Sequence, residues 1–153
     1  MLIVQCSYVD EYFIARLRKE YEDLCVVCYI NSTAEIKTMS DVCVTSSNAK
    51  RIVEALPNKN ILFIPDQNLG KHIAELVPSK NFLFCNGYCP THYRITPEDI
   101  LTAKEKHPGA PVLIHPECKP ECVELADYAG STSGIIDYAT NDQEHDESLL
   151  SLK

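Results

Sequence analysis

Short runs of β-branched and apolar residues recur along the chain, at residues 26–30, 42–45, 61–64, 82–85 and 112–114. Unbroken apolar runs of this length suit strands covered on both faces, as in a parallel sheet. Between them lie stretches with apolar residues at helical spacing: 9–21, 47–56, 69–77, 96–107, 121–129 and 133–139. Ser47 and Asn48 are helix N-cap types. Thr96-Pro97-Glu98-Asp99 combines a cap, a proline at the first helical position and acids in the first turn. This alternation predicts an α/β fold: a three-layer α/β/α sandwich with a mostly parallel sheet of four to five strands and right-handed crossovers. The α/β domain is expected over residues 25–139. The polar, acidic stretch 140–153 reads as a frayed end or linker.

Composition narrows the class. The 153 residues suffice for one domain with a core, and 45% hydrophobic with 24% charged residues is ordinary for a globular protein. No apolar run approaches the ~20 residues of a membrane span. Residues 1–9 lack the basic start of a signal peptide, so a cytoplasmic location is expected. A net charge of −8 without a block of Lys and Arg argues against nucleic acid or an anionic membrane as a partner. An anionic small substrate remains compatible, because helix N-termini bind anions locally.

Eight cysteines are many for such a chain. Without a secretion signal, thiols or metal ligands fit better than disulfides. Cys25, Cys28, Cys43 and Cys85 lie within apolar runs and read as small buried hydrophobes. The spacings Cys85-x3-Cys89 and Cys118-x3-Cys122 admit a four-cysteine zinc site, but Cys85 falls at a strand end and no glycine-rich knuckle surrounds Cys118.

Unusual polar residues cluster directly after the strand runs, where open parallel sheets bind ligands. They are Tyr29, Asn31 and Ser32, then Ser46, Ser47 and Asn48, then Asp66 and Asn68. Asn86, Gly87, Cys89 and His92 follow, and finally His115, Glu117 and Cys118. Five strand ends are thus expected along one edge. Ser46-Ser47-Asn48 and Gly130-Ser131-Thr132-Ser133 read either as helix caps or as holders of a carboxylate or phosphate. Asp66 reads as a turn or cap residue, and His107 as a helix C-terminal residue. His115-Pro116-Glu117 places an imidazole and a carboxylate after a buried strand, where enclosure tunes both for acid–base work.

These blocks carry a family likeness. Tyr29-Ile30-Asn31-Ser32-Thr33-Ala34-Glu35-Ile36-Lys37, Val44-Thr45-Ser46-Ser47-Asn48-Ala49, Ile64-Pro65-Asp66-Gln67-Asn68-Leu69-Gly70 and Asn86-Gly87-Tyr88-Cys89-Pro90-Thr91-His92 resemble quinolinate synthase in order and spacing. So do His115-Pro116-Glu117-Cys118 and Ala126-Asp127 with Gly130-Ser131-Thr132-Ser133. The resemblance implies condensation of iminoaspartate with dihydroxyacetone phosphate to quinolinate in NAD biosynthesis. It also implies a [4Fe–4S] cluster held by three cysteines, one from each of three similar domains, whose open iron acts as a Lewis acid. Cys89 then matches the central domain's cluster ligand, and Glu117 the proton-transferring carboxylate. His115 and His92 match active-site histidines, Tyr29 and Asn31 a substrate-contacting pair, and Ser46, Ser131 and Thr132 hydroxyls that hold substrate carboxylate or phosphate.

Against the three-domain pattern, residues 1–24 read as the helical remnant of the end of a preceding domain, and no third domain is recognised after Tyr138. Gln5-Cys6-Ser7 with Asp10 resembles the block of the first cluster cysteine, which makes Cys6 a second candidate ligand. The remaining ligands are expected from partner chains carrying the other domains or from self-association, a cyclic trimer bringing three copies of Cys89 to its axis. The alternative is an accessory α/β module that binds a small anionic ligand without catalysis.

Overall fold

A computed structural model of the chain describes residues 9–142 and 147–151. The chain divides into two compact units, Met1–Cys89 and Pro90–Lys153. Among the described residues no helix is long and apolar enough to cross a membrane.

The first unit runs α1 (Glu11–Glu20), β1 (Cys25–Tyr29), α2 (Ala34–Thr38), β2 (Val42–Val44), α3 (Ala49–Ala55), β3 (Asn60–Ile64), α4 (Gln67–Leu76) and β4 (Asn81–Phe84). All strand pairs are parallel, in the order β2-β1-β3-β4. The two central strands are the runs buried on both faces. Val26 and Cys28 of β1, with Leu62 and Ile64 of β3, pack against Ile14 and Leu17 of α1 and Ile36 of α2. The alternate residues Cys25, Val27, Tyr29, Ile61 and Phe63 pack against Ala49 and Val53 of α3 and Leu69 and Ile73 of α4. A strand period of two thus feeds two helical layers, and the expected three-layer sandwich forms. Helix α4 comes close to the sheet at Gly70, where a Cβ would stand 2.9 Å from Phe63 Cδ1 and 3.0 Å from Phe84 Cε1.

The amino ends of the strands are tied by side chains. Asp23 accepts from the Lys59 backbone N–H at 2.6 Å and from the Asn60 side chain, while Asn81 donates to Asn60 at 2.7 Å. These hydrogen bonds hold the Asp23 carboxyl below its ordinary range. Lys80 Nζ donates to the Leu56 and Asn58 carbonyls. Chain reversal from β1 outward to β2 and back to β3 leaves a switch point between the carboxyl ends of β1 and β3, the place where such sheets bind ligands.

The second unit runs α5 (Pro90–Tyr93), α6 (Pro97–Lys106), β5 (Val112–Ile114), α7 (Pro120–Val123), β6 (Tyr128–Ala129), α8 (Thr132–Asn141) and β7 (Leu149–Ser151). Its parallel sheet is ordered β6-β5-β7. The start of α6 is a full capping box: Thr96 Oγ1 accepts from Asp99 N at 3.2 Å, and Asp99 Oδ2 accepts from Thr96 N at 2.9 Å. His107 is the C-cap residue of α6.

Four expectations need revision. The fifth strand, Val112–Ile114, belongs to this second sheet, so the five strand ends do not line one sheet edge. The helix expected over 121–129 stops at Val123. Asp127 instead pairs with Val112 through both backbone and side chain, and Tyr128–Ala129 becomes a strand. Of the stretch 140–153, Leu149–Ser151 forms a strand beside β5. Cys43 is exposed rather than buried, because β2 is an edge strand. Cys25, Cys28 and Cys85 are buried as expected, and among the described residues no cysteine is in a disulfide.

Candidate functional site

In the first unit, the polar residues after β1 fold back on the strand end. Ser32 Oγ donates to the Tyr29 carbonyl at 2.6 Å, and Asn31 Nδ2 donates to the Tyr29 phenol oxygen at 3.2 Å. Tyr29 and Asn31 are therefore joined, at the switch-point end of a central strand. Ser46 lies half-buried in the turn after β2. Asn48 does not cap α3 with its side chain. Its Oδ1 accepts from Thr45 N at 2.7 Å, closing the turn that carries Ser46.

Asp66, directly after β3, is fully buried. Its Oδ1 accepts from Asn68 N at 2.7 Å and Leu69 N at 3.0 Å, capping α4. Its Oδ2 accepts from Cys89 N at 2.6 Å. Gln67 N donates to the Gly87 carbonyl at 2.8 Å. The loop after β4 is thus held at two points, and Cys89 is itself buried. Sequence reasoning found Asp66 as a cap but missed its hold on Cys89. The available signal was an acid two residues after the apolar run 61–64.

The second unit gathers three of the expected residues. His92 comes from α5, while His115 and Glu117 follow β5, and all three are buried. His92 Nδ1 and Glu117 Oε2 are 2.7 Å apart. The imidazoles of His92 and His115 stack with centroids 5.0 Å apart. The Glu117 backbone N–H donates to His115 Nδ1 at 3.3 Å. An Nδ1 that accepts belongs to a neutral ring with its proton on Nε2. His115 is therefore set to donate from Nε2, and the His92–Glu117 pair holds a proton between two side chains removed from water.

Ser131 is the N-cap of α8, its Oγ accepting from Gly134 N at 3.2 Å, with its own O–H left to donate. Thr132 follows at the exposed first helical position. The Tyr128 phenol lies against this turn, and a Cβ at Gly130 or Gly134 would meet its oxygen at 2.5 or 2.4 Å. A residue larger than glycine at either position would require the Tyr128 ring to move, a closeness the sequence pattern did not announce. Cys118 and Cys122 pack in this unit's core beside Ile100, Val112 and Ile114, and burial raises the Cys122 thiol pKa. Cys6 lies outside the described residues.

For metal or cluster binding the chain offers a buried thiol at Cys89, a buried imidazole at His92 and a buried carboxylate at Glu117, all recognised donor types. Cys89 fits the thiolate expected of an iron–sulfur ligand. It sits on a loop fixed by the two hydrogen bonds from α4's first turn, as a ligand position requires.

A buried imidazole–carboxylate pair behind a parallel strand is the equipment α/β enzymes use for proton transfer. Comparison with known proteins identifies which α/β family this is. Residues 5–151 match the family model described as Quinolinate synthetase A protein. The chain is 51% identical over 133 residues to the quinolinate synthase of Caldicellulosiruptor saccharolyticus, covering 87% of this chain and 44% of that protein. It is 54% identical over 138 residues to that of Clostridioides difficile (90% and 45%), and 44% identical over 137 residues to that of Thermodesulfovibrio yellowstonii (88% and 45%). The chain belongs to the quinolinate synthetase A family. It spans a little under half the length of these curated relatives.

Proposed function

We propose that this chain is a working part of a quinolinate synthase. It would serve the condensation of iminoaspartate with dihydroxyacetone phosphate to quinolinate, phosphate and two waters, feeding NAD synthesis in the cytoplasm. The observation that carries this reading is the buried His92–Glu117 hydrogen bond of 2.7 Å, made by the residues that family resemblance assigns to the site. The condensation needs repeated proton transfers at carbon and oxygen. A carboxylate and an imidazole sharing a proton away from water suit that task. His115, donating from Nε2, would steady a substrate oxygen. Tyr29, Asn31, Ser46, Ser131 and Thr132 supply neutral hydrogen-bond donors for carboxylate and phosphate groups, and the start of the ten-residue helix α8 adds its dipole.

Cys89 would be this chain's ligand to a [4Fe–4S] cluster, with Cys6 a second candidate. Such a cluster supplies a Lewis-acidic iron that polarises substrate oxygen. The other ligands would come from further domains, partner chains or copies of this chain.

The test is iron and sulfide per chain after anaerobic reconstitution, read beside mass in solution and quinolinate formation from the two substrates. Iron that depends on Cys89, together with turnover that depends on Glu117, supports the reading. A folded protein that binds the substrates' carboxylate or phosphate groups but holds no iron and forms no quinolinate would replace it with the non-catalytic binding module.

A further inference from the structure

We propose that Asp66 is the positioning residue for Cys89, one buried carboxylate fixing both the first turn of α4 and the backbone from which the thiol extends. The role it gives Cys89 rests on the metal-ligand reading above; the contact itself does not. A helix cap needs a single side-chain oxygen, and Asn, Ser or Thr provides one as well as Asp. A cap therefore does not explain why a carboxylate occupies a fully buried site, where its charge is unfavourable without compensation. The division of labour between the two oxygens does explain it. Oδ1 serves Asn68 N and Leu69 N, and Oδ2 serves Cys89 N at 2.6 Å. Three N–H donors and the positive end of a ten-residue helix offset the buried charge.

The contact spans 23 residues of sequence, so it is tertiary and not a local turn. It adds anchorage beyond the sheet itself, since among the described residues β4 pairs only with β3 in that sheet. Together with the Gln67–Gly87 bond, it holds the loop at Gly87 and again at Cys89. A ligand on such a loop must keep its place within about 0.5 Å, and a charge-assisted hydrogen bond to its own amide does so directly.

The substitution Asp66→Asn separates the two roles. Asn remains a good cap, but its amide has one acceptor, and its NH2 would oppose the Cys89 N–H, donor against donor. Amide hydrogen exchange in the full chain reads the result residue by residue. Cys89 should exchange about tenfold faster or more, while Asn68 and Leu69 keep their protection. Asp66→Ser, a second cap former without the second oxygen, should give the same pattern should the Asn variant fold poorly. Unchanged protection at Cys89 overturns the proposal. So does a uniform loss at Asn68, Leu69 and Cys89, which reduces Asp66 to a cap. Iron content after anaerobic reconstitution then tests the purpose of the contact. With Cys89→Ser depleted, Asp66→Asn should hold several-fold less iron than the unsubstituted chain, and equal iron would overturn the positioning role. Equal iron in the unsubstituted chain and Cys89→Ser would instead refute Cys89 as the ligand, with the exchange data still deciding the clamp.

Discussion

His92 and Glu117 meet through a hydrogen bond of 2.7 Å although they come from different elements 25 residues apart, and both side chains are almost wholly shielded from water. Neither local capping nor surface pairing accounts for it. Glu117→Gln keeps the shape and a hydrogen-bonding group but removes the ionisable oxygen. Quinolinate formation should fall by about 10²–10⁴-fold, the usual contribution of a positioned acid or base, with iron content unchanged. Full activity in this variant would remove Glu117 from the proton path.

Cysteine substitutions should sort by position. Cys89→Ser should lose bound iron, whereas Cys43→Ser, on an exposed edge strand, should keep it. Iron analysis of the two purified variants decides this, and retained iron in Cys89→Ser would refute the ligand assignment.

Gly70→Ala should destabilise the first unit. The added methyl would stand 2.9–3.1 Å from Phe63 and Phe84, closer than carbon atoms pack. Overpacking of this kind costs about 1–3 kcal/mol, measurable as a lower urea midpoint at unchanged slope. A midpoint equal to that of the unsubstituted chain would mean that the two rings move aside freely.

Stability should decline in alkali partly through Cys25. Burial, with the charge of Asp41 adding to it, raises this thiol from 9.0 to about 11. The folded state then holds a proton that the unfolded state has released. This contribution is complete below pH 9 and is lost as pH rises toward about 11. Thermal melts from pH 8 to 11 should show a shallower decline in Cys25→Ala than in the unsubstituted chain. Parallel curves would show that Cys25 does not take part.

Much of the framework was legible because the central strands are buried on both faces. Such burial forces continuous apolar runs, and the runs at 26–30 and 61–64 announce β1 (Cys25–Tyr29) and β3 (Asn60–Ile64) to within a residue at each end. The box at Thr96 and Asp99 was legible for a similar reason, since its chemistry is local. What escaped depends on distant partners. Tyr128–Ala129 looks helical until Asp127 finds Val112, fifteen residues earlier. Cys43 looks buried until its strand proves to be at the edge. Within the site, residue types and order could be read from the blocks around Tyr29, Cys89 and Glu117. That His92 bonds Glu117, and that Asp66 reaches Cys89, could not, because neither partner lies within a turn of the other in sequence.

The ties made by Asp23, Asn60, Asn81 and Lys80 all lie at the amino ends of the strands, while Tyr29, Ser46 and Asp66 stand at the carboxyl ends. The sheet is therefore moored at one rim and equipped at the other. Such a separation lets mutation explore the equipped rim without unfastening the scaffold. Variation selected for new ligand preferences should accumulate in the loops after β1, β2 and β3, and variation that compensates for heat or denaturant around Asp23 and Lys80. The molecule thus keeps its capacity for change and its resistance to unfolding on opposite sides of one small sheet.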